Sequence, residues 1–150
     1  MSEELVRVEP IALLPTPSGC AVFLGDGKKV IMFYIEPSIG ASINAVMSNQ
    51  TAPRPMTHDL FSQSIEAFGG RVTRLIIVDV KGEVFYSRLF IEGKNEIQHH
   101  KIVELDARPS DGIALAVRAE APIYVLESVW SQLKDMSNLL EDLNREARGE

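Results

Sequence analysis

Three β-prone segments joined by short turns constrain the fold of this chain more than any other feature. The segments Val72 to Val80, Val84 to Ile91 and Ile97 to Leu105 are rich in β-branched and apolar residues, and each turn between them contains glycine. Runs of this length and composition with turn signals between them are typical of strands that pair in chain order. The pattern therefore predicts a β-meander. With 150 residues, the chain has the length of one ordinary domain with a substantial core.

The rest of the chain supplies further strands and several helices. Strands are predicted over Leu5 to Leu14, Cys20 to Leu24, Val30 to Ile35 and Ile123 to Leu126. Helices are predicted from Ser38 to Met47, from Pro55 to Phe68 and from Ser110 to Ala119. These elements predict an α+β domain, in which helices pack against a mixed, largely antiparallel sheet or open barrel, followed by a C-terminal helix.

The C-terminal segment carries a separate pattern. Its apolar residues have spacings of 4-3-4-3 and are Val129, Leu133, Met136, Leu140 and Leu143. These spacings place them on one stripe of a single helix that runs to about Arg145. Such a stripe packs either on the chain's own core or on a second copy. We therefore divide the chain into a domain over 1–130 and a helical tail over 131–150, and expect a homo-oligomer, with a dimer favoured.

Composition excludes several classes of protein. With 45% hydrophobic and 24% charged residues, the chain is neither disordered nor collagen-like. The longest apolar run, Val30 to Ile35, falls far short of the roughly 18 residues that a membrane-spanning helix needs. The start has no secretory signal pattern, so a cytoplasmic protein without a membrane partner is expected. Cys20 is the only cysteine, so an intrachain disulfide is impossible and a buried, inert thiol is expected.

The net charge of −6 disfavours nucleic acid as a partner. An acidic protein repels polyanions as a whole, and the longest basic run is only Lys28-Lys29. A negative net charge is compatible with a local anion site, because a ligand responds to the electrostatic field at the site itself.

Two segments repeat an arrangement that could build such a site. Arg54-Pro55-Met56-Thr57-His58-Asp59 and Arg108-Pro109-Ser110-Asp111 each place Arg-Pro, then a hydroxyl, then an aspartate at the start of an apolar helix. Proline and the polar side chains suit the first turn, and helix capping is the favoured interpretation for Thr57 and Ser110. The arginines need another explanation. One is cross-pairing, Arg54 with Asp111 and Arg108 with Asp59; the other is a phosphate held by both arginines.

The same blocks resemble a known family. The two Arg-Pro segments, extended to Leu60 and from Asp106 to Ala116, and the later Pro122-Ile123-Tyr124-Val125 are similar in order and spacing to the signature blocks of the bifunctional nuclease (BFN) domain family. The resemblance extends from about Leu5 to Trp130 and implies DNase and RNase activity, which is described for plant members. The chain departs from the pattern at Gly112, where alanine is usual, and a glycine loosens a helix start.

A phosphodiesterase needs an activated attacking oxygen and a way to stabilise charge on the phosphoryl group. His58 at a helix N-terminus is the candidate general base, because the helix dipole disfavours its charged form. Asp106 shares a strand face with Glu104, and Asp111 follows just beyond. The hypothesis assigns Asp59, Asp106 and Asp111 to catalysis and to a Mg²⁺ or Mn²⁺ site. Arg54, Arg108 and Ser110 would bind phosphate.

Weaker patterns compete with this set. Asp59 with Asp79-Val80-Lys81 matches a carboxylate-lysine arrangement of some metal nucleases, although a turn explains Lys81 more simply. His99 and His100 are adjacent on a predicted strand and would point to opposite faces, so they should not share one ion. The glycine-rich phosphate-binding and serine-hydrolase motifs are absent from the sequence.

The sequence thus leads to one hypothesis and two alternatives. The hypothesis is a metal-assisted nuclease that acts on nucleic acid. The first alternative is a non-enzymatic interaction or regulatory module that self-associates, whose arginines form an internal ion-pair lock. The second is a protein that binds a small anionic ligand, such as a nucleotide, without cleaving it. Truncation of Arg108 separates them, because losing one partner of a buried ion pair typically costs roughly 3–5 kcal/mol, whereas losing a solvent-facing phosphate ligand costs little stability.

Overall fold

A computed structural model describes residues 3–94, 97 and 100–150 of the chain. The described residues form the following strands and helices: β1 (Leu5–Thr16), β2 (Gly19–Gly25), β3 (Val30–Ile35), α1 (Pro37–Met47), α2 (Thr57–Ala67), β4 (Gly70–Lys81), β5 (Val84–Lys94), β6 (His100–Ala107), α3 (Pro109–Ala119), β7 (Ile123–Leu126), α4 (Glu127–Trp130) and α5 (Ser137–Ala147). The predicted α+β class is confirmed, and the meander is β4-β5-β6.

The strands form one sheet in the order β3-β2-β1-β7-β4-β5-β6. Neighbouring strands are antiparallel except for β4 and β7, which run parallel. The sheet is therefore mixed and largely antiparallel, as predicted. Among the described strands, β3 and β6 are edges, so the sheet is open.

The open sheet nevertheless curls. The rings of Phe33 on β3 and Phe85 on β5 have centroids 4.9 Å apart, although these strands stand first and sixth in the sheet order. Tilted aromatic pairs at this distance are favourable contacts. The contact brings both halves of the sheet together near the N-terminus of α3, because both rings line a hollow that also contains Arg108 and Pro109.

Helix α3 packs into the hydrophobic core. Most of its first two turns are buried, including Ile113, Ala114 and Ala116 at 0% exposure. Gly112 permits this close approach, because a Cβ atom there would lie 2.5 Å from Cδ1 of Leu75 on β4. The glycine therefore does more than loosen a helix start, since it sets how near the helix lies to the sheet.

Helix α1 approaches the sheet in the same way. A Cβ atom on Gly40 would lie 2.6 Å from Sγ of Cys20 on β2. Cys20 is buried, as predicted, and burial raises the pKa of its thiol, which makes the thiol inert. Helix α2 differs from both, because none of its residues is buried.

The predicted C-terminal helix is present as α5, but the prediction that one helix runs unbroken from Val129 to about Arg145 is wrong. Helix α4 ends at Trp130, where Val129 and Trp130 enter the core. Asp135 then interrupts the helix: its Oδ1 accepts hydrogen bonds from the backbone N–H groups of Val30, at 3.1 Å, and Ser137, at 3.0 Å. A side chain that binds nearby backbone competes with helix formation. The apolar stripe is thus divided between α4, the connection and α5, and self-association through it stays a prediction.

None of the helices in the described part of the chain is long and apolar enough to cross a membrane.

Candidate active site

The N-terminal ends of α2 and α3 meet, as the phosphate-site hypothesis requires. Nε2 of His58, in the first turn of α2, lies 3.0 Å from Oδ1 of Asp111, in the first turn of α3. The His58 side chain is only 14% exposed, whereas that of Asp111 is 33% exposed. An ionised carboxylate can only accept hydrogen bonds, so Nε2 of His58 is the donor in this contact.

Two charged side chains continue the network from Asp111. Arg108 donates from Nε to Oδ2 of Asp111 at 2.8 Å and from Nη1 to Oε1 of Glu36 at 3.1 Å. Burial would raise the pKa of Asp111, but the hydrogen bonds from Arg108 and His58 outweigh it and hold the pKa below its usual value. Asp111 is therefore ionised at neutral pH. The hydrogen bond to Asp111, followed by the one to Glu36, raises the pKa of Arg108.

The predicted cross-pairing of the arginines is wrong. Asp59 binds Arg118, with Nε to Oδ1 at 2.8 Å, and Arg108 binds the aspartate of its own helix. Arg54 is exposed and has no ion-pair partner within the part of the chain that the structure describes. Helix α2 is instead held to the first turn of α3 by His58–Asp111 and to its last turn by Asp59–Arg118.

Arg118 is the buried member of this lock. Its side chain is 8% exposed. Nη1 binds the carbonyl of Ala114 at 2.8 Å, and Nη2 binds that of Ser42 on α1 at 3.3 Å. Asp59 also accepts the N–H of Met56 at 2.9 Å. That hydrogen bond, followed by the one from Arg118, lowers the pKa of Asp59. One guanidinium thus links α1, α2 and α3.

The other side of the His58 ring faces α1. Nδ1 of His58 lies 3.0 Å from Oγ of Ser42. Both ring nitrogens therefore have partners, Ser42 on one side and the Asp111 carboxylate on the other. Since Nε2 carries the proton that Asp111 accepts, Nδ1 of a neutral ring is free to accept the Ser42 hydroxyl proton.

The helix starts use other capping groups than those predicted. The N-cap residues are Glu36 for α1, Met56 for α2 and Arg108 for α3, and none of them makes a side-chain capping hydrogen bond. Thr57 and Ser110 lie inside their helices, so the prediction that their hydroxyls cap these helices is wrong. In α2, the carboxylate of Asp59 accepts the N–H of the N-cap residue Met56 instead. Ser110 is 7% exposed, and its role in phosphate binding stays a prediction.

The structure does not gather the predicted metal ligands. Within residues 3–94, 97 and 100–150, no three histidine, cysteine or acidic side chains form a group that could hold a metal ion. Asp59 and Asp111 are taken up by the contacts above. Asp106 on β6 lies opposite Arg88 on β5. Because side chains alternate along a strand, both point away from the face on which Ser87 and Leu89 of β5 are buried. As placed, these side chains do not fit a metal ion.

The side chains of the weaker patterns make other contacts. Oδ2 of Asp79 lies 3.8 Å from Nζ of Lys81 beside the β4-β5 turn. Asp59, the third member of that pattern, binds Arg118. His100 binds Glu92 at 3.3 Å at the sheet edge. The prediction for His99 lies outside the described residues.

Two hollows flank the network. One, of about 610 Å³, lies between α1 and α2 and is lined by Ser42, Asp59, Glu66 and Arg118 together with neutral polar and apolar side chains. The other, of about 470 Å³, is lined by Arg108, Glu36 and the curled end of the sheet, including Tyr34. His58 and Asp111 connect the side chains of the first hollow to those of the second.

Ser42, Glu36 and Arg118 were not among the predicted site residues. A signal for Glu36 is present in the sequence, because Glu36-Pro37-Ser38 with Gly40 has the same order as Arg108-Pro109-Ser110 with Gly112. The two segments carry opposite charges and form an ion pair. Arg118 follows Asp111 by seven residues, or two helical turns, but nothing in that spacing identifies its partner on α2.

Comparison with known proteins identifies the family of this chain. The profile of the Bifunctional nuclease domain matches residues 22–137, so the chain belongs to the bifunctional nuclease domain family. This confirms the resemblance. The matched region contains α1, α2 and α3, and ends where α5 begins.

The relatives differ in how much of their length this chain covers. An uncharacterized protein of Mycobacterium tuberculosis (strain ATCC 25618 / H37Rv) is 34% identical over 107 residues, which are 71% of this chain and 60% of that protein. Bifunctional nuclease 1 of Oryza sativa subsp. japonica is 31% identical over 105 residues, and Bifunctional nuclease 1 of Arabidopsis thaliana is 28% identical over 102 residues. These cover 67% of this chain but 30% of each plant protein.

Proposed function

We propose that this chain is a nuclease that hydrolyses phosphodiester bonds in DNA or RNA. The observation that carries the proposal is the network His58–Asp111–Arg108, in which a shielded imidazole, an ionised carboxylate and an exposed guanidinium meet at two helix N-termini. Membership in the family and the names of the plant relatives support the same reaction.

Each member of the network has a distinct role in the proposal. His58 takes the proton from the attacking oxygen, and Asp111 fixes the ring tautomer and stabilises the imidazolium that forms. Nη2 of Arg108 has no partner among the described residues and is available for a phosphate oxygen of the strand. Arg54, exposed before α2, is a second phosphate ligand in the proposal.

The acidic surface is compatible with this activity. The net charge of −6 opposes long contacts along a nucleic acid. A local site formed by two helix N-termini and an exposed arginine attracts a phosphate without requiring a basic surface. We therefore expect weak, salt-sensitive binding with little preference for sequence.

Single-stranded DNA and RNA oligonucleotides test the proposal directly. Cleavage is measured for protein freed of host nucleases, with EDTA, with Mg²⁺ and with Mn²⁺, which also tests the predicted metal requirement. His58→Ala and Asp111→Asn should each lower the rate about 10²- to 10⁴-fold, the usual contribution of acid–base catalysis.

His100→Ala is the matched control. It removes a histidine that also contacts a carboxylate, Glu92, but lies at the sheet edge and is 56% exposed. Its rate should equal that of the wild type. Cleavage that survives in His58→Ala would reject the assignment. Stabilisation by nucleotides without any cleavage would favour the ligand-binding alternative.

A further inference from the structure

Ser42 restricts how His58 can act as a base. Its hydroxyl lies 3.0 Å from Nδ1, and the opposite nitrogen is held by Asp111 at 3.0 Å. Because Nε2 donates to an ionised carboxylate, Nδ1 is the basic nitrogen of the neutral ring. That nitrogen faces a serine hydroxyl, and the ring is largely shielded, with 14% of the side chain exposed.

We propose that Ser42 is the nucleophile of the reaction and that Ser42, His58 and Asp111 act as a catalytic triad. The inference rests on the proposed function, since the substrate is the same phosphodiester. A nucleophile, a base within hydrogen-bond reach of it, and a third group that orients the base define such a unit by geometry rather than by order in the chain. Here the order is Ser42, His58, Asp111.

The surroundings of Ser42 support this role. Ser42 lines the hollow of about 610 Å³ between α1 and α2, so a substrate can approach it. Its backbone carbonyl is held by Nη2 of Arg118, which fixes the serine within α1. Among the described residues that line this hollow, Arg118 is the only cation. Arg108 lies beyond the imidazole and would contact a neighbouring phosphate of the same strand.

The reaction proceeds in two displacements at phosphorus. Oγ of Ser42 attacks while its proton passes to Nδ1 of His58, the bond between phosphorus and the leaving oxygen breaks, and that oxygen takes the proton from His58. The product is a phosphodiester between Ser42 and one part of the strand. Water then attacks this phosphorus, His58 takes its proton, and Oγ leaves as the serine hydroxyl when the proton returns to it.

A fluorophosphonate probe tests the nucleophile without relying on nuclease activity. An activated serine displaces fluoride from the probe and keeps the phosphonyl group, which mass spectrometry locates. Wild-type protein should be labelled at Ser42, with labelling slowed at least about 10²-fold in His58→Ala. Ser38→Ala is the control, because Ser38 lines the same hollow one turn earlier on α1 and should not affect labelling.

The nuclease assay separates this inference from the function on which it rests. Ser42→Ala should lose cleavage as completely as His58→Ala, and an acid quench of wild-type protein with a labelled oligonucleotide should trap label on Ser42. Cleavage that survives in Ser42→Ala but is lost in His58→Ala would overturn the nucleophile and leave the nuclease proposal standing. Labelling at Ser42 without any cleavage would support the activated serine and reject the phosphodiester substrate.

Discussion

Helices α2 and α3 bring their N-terminal ends to one place, but the protein holds them there by different means. The start of α3 is part of the hydrophobic core, with Ile113 and Ala114 fully buried. Helix α2 has no buried residue, and Leu60 and Phe61 on it are 59% and 47% exposed. One partly buried apolar side chain, Ile65, packs against the core, and the polar contacts of His58 and Asp59 hold the start of the helix.

The difference assigns separate tasks to the two helices. Close packing gives α3, and with it Asp111 and Arg108, a fixed position, because cores tolerate little movement. Helix α2 positions the imidazole of His58 through hydrogen bonds and an ion pair. These contacts weaken at low pH, where the carboxylates are protonated, and at high salt concentration. Asp111 thus lies on a rigid helix, and its partner His58 lies on a more weakly attached one. We expect α2 to be the first element to unfold locally.

The largest effect should come from the packed helix. Ile113→Ala removes a fully buried side chain from α3 and should lower the free energy of unfolding by about 2–5 kcal/mol. Leu60→Ala, at an exposed site on α2, should change it by less than about 0.5 kcal/mol. Urea denaturation measures both. Equal losses would show that the two helices are attached in the same way.

Loss of the buried arginine should come next. Arg118→Ala removes the link among α1, α2 and α3 and leaves Asp59 without its ion-pair partner. We expect a loss of about 2–3 kcal/mol, less than for a fully buried pair because the Asp59 side chain is 34% exposed. Arg145→Ala on α5, where the arginine is 53% exposed, is the control and should cost under about 1 kcal/mol.

Arg108 should affect activity far more than stability. Its side chain forms two ion pairs and is 61% exposed. Exposed ion pairs contribute roughly 0–1 kcal/mol to the free energy of unfolding. Arg108→Ala should therefore lower the melting temperature by only a few degrees while it weakens oligonucleotide binding. A large loss of stability would instead favour the internal ion-pair lock of a non-enzymatic module.

Local patterns predicted the elements, because turn residues and apolar spacing are short-range properties. The meander and α3 follow directly from glycine turns and from Pro109. The tail helix could not be predicted as two pieces, since Asp135 interrupts it by binding Val30, which is 105 positions away in the chain.

The site shows the same limit. The two Arg-Pro segments led to His58 and Asp111, and these do meet. The partner of each charge depended on three-dimensional packing. Asp59 lies beside Arg118 because α2 packs against α3, which spacing in the chain does not reveal. Ser42 carried no local signal, since a lone serine within a helix is ordinary.

The smallest effect should be a selective loosening of α2 in acid. The folded pKa values of Asp59 and Asp111 lie below the ordinary value of 3.8, so their stabilisation is complete above about pH 4 and is lost as the pH falls through the lowered values. Hydrogen exchange at pH 5 and at pH 3, compared as protection factors, should show α2 losing protection before α3. The effect is modest because both carboxylates are about a third exposed and screened by solvent.

The variant Asp59→Asn is the control for this prediction. It should remove most of the pH dependence from α2 and leave α3, which packs into the core, unchanged. Simultaneous loss of protection in both helices would mean that α2 belongs to the same cooperative unit as the core.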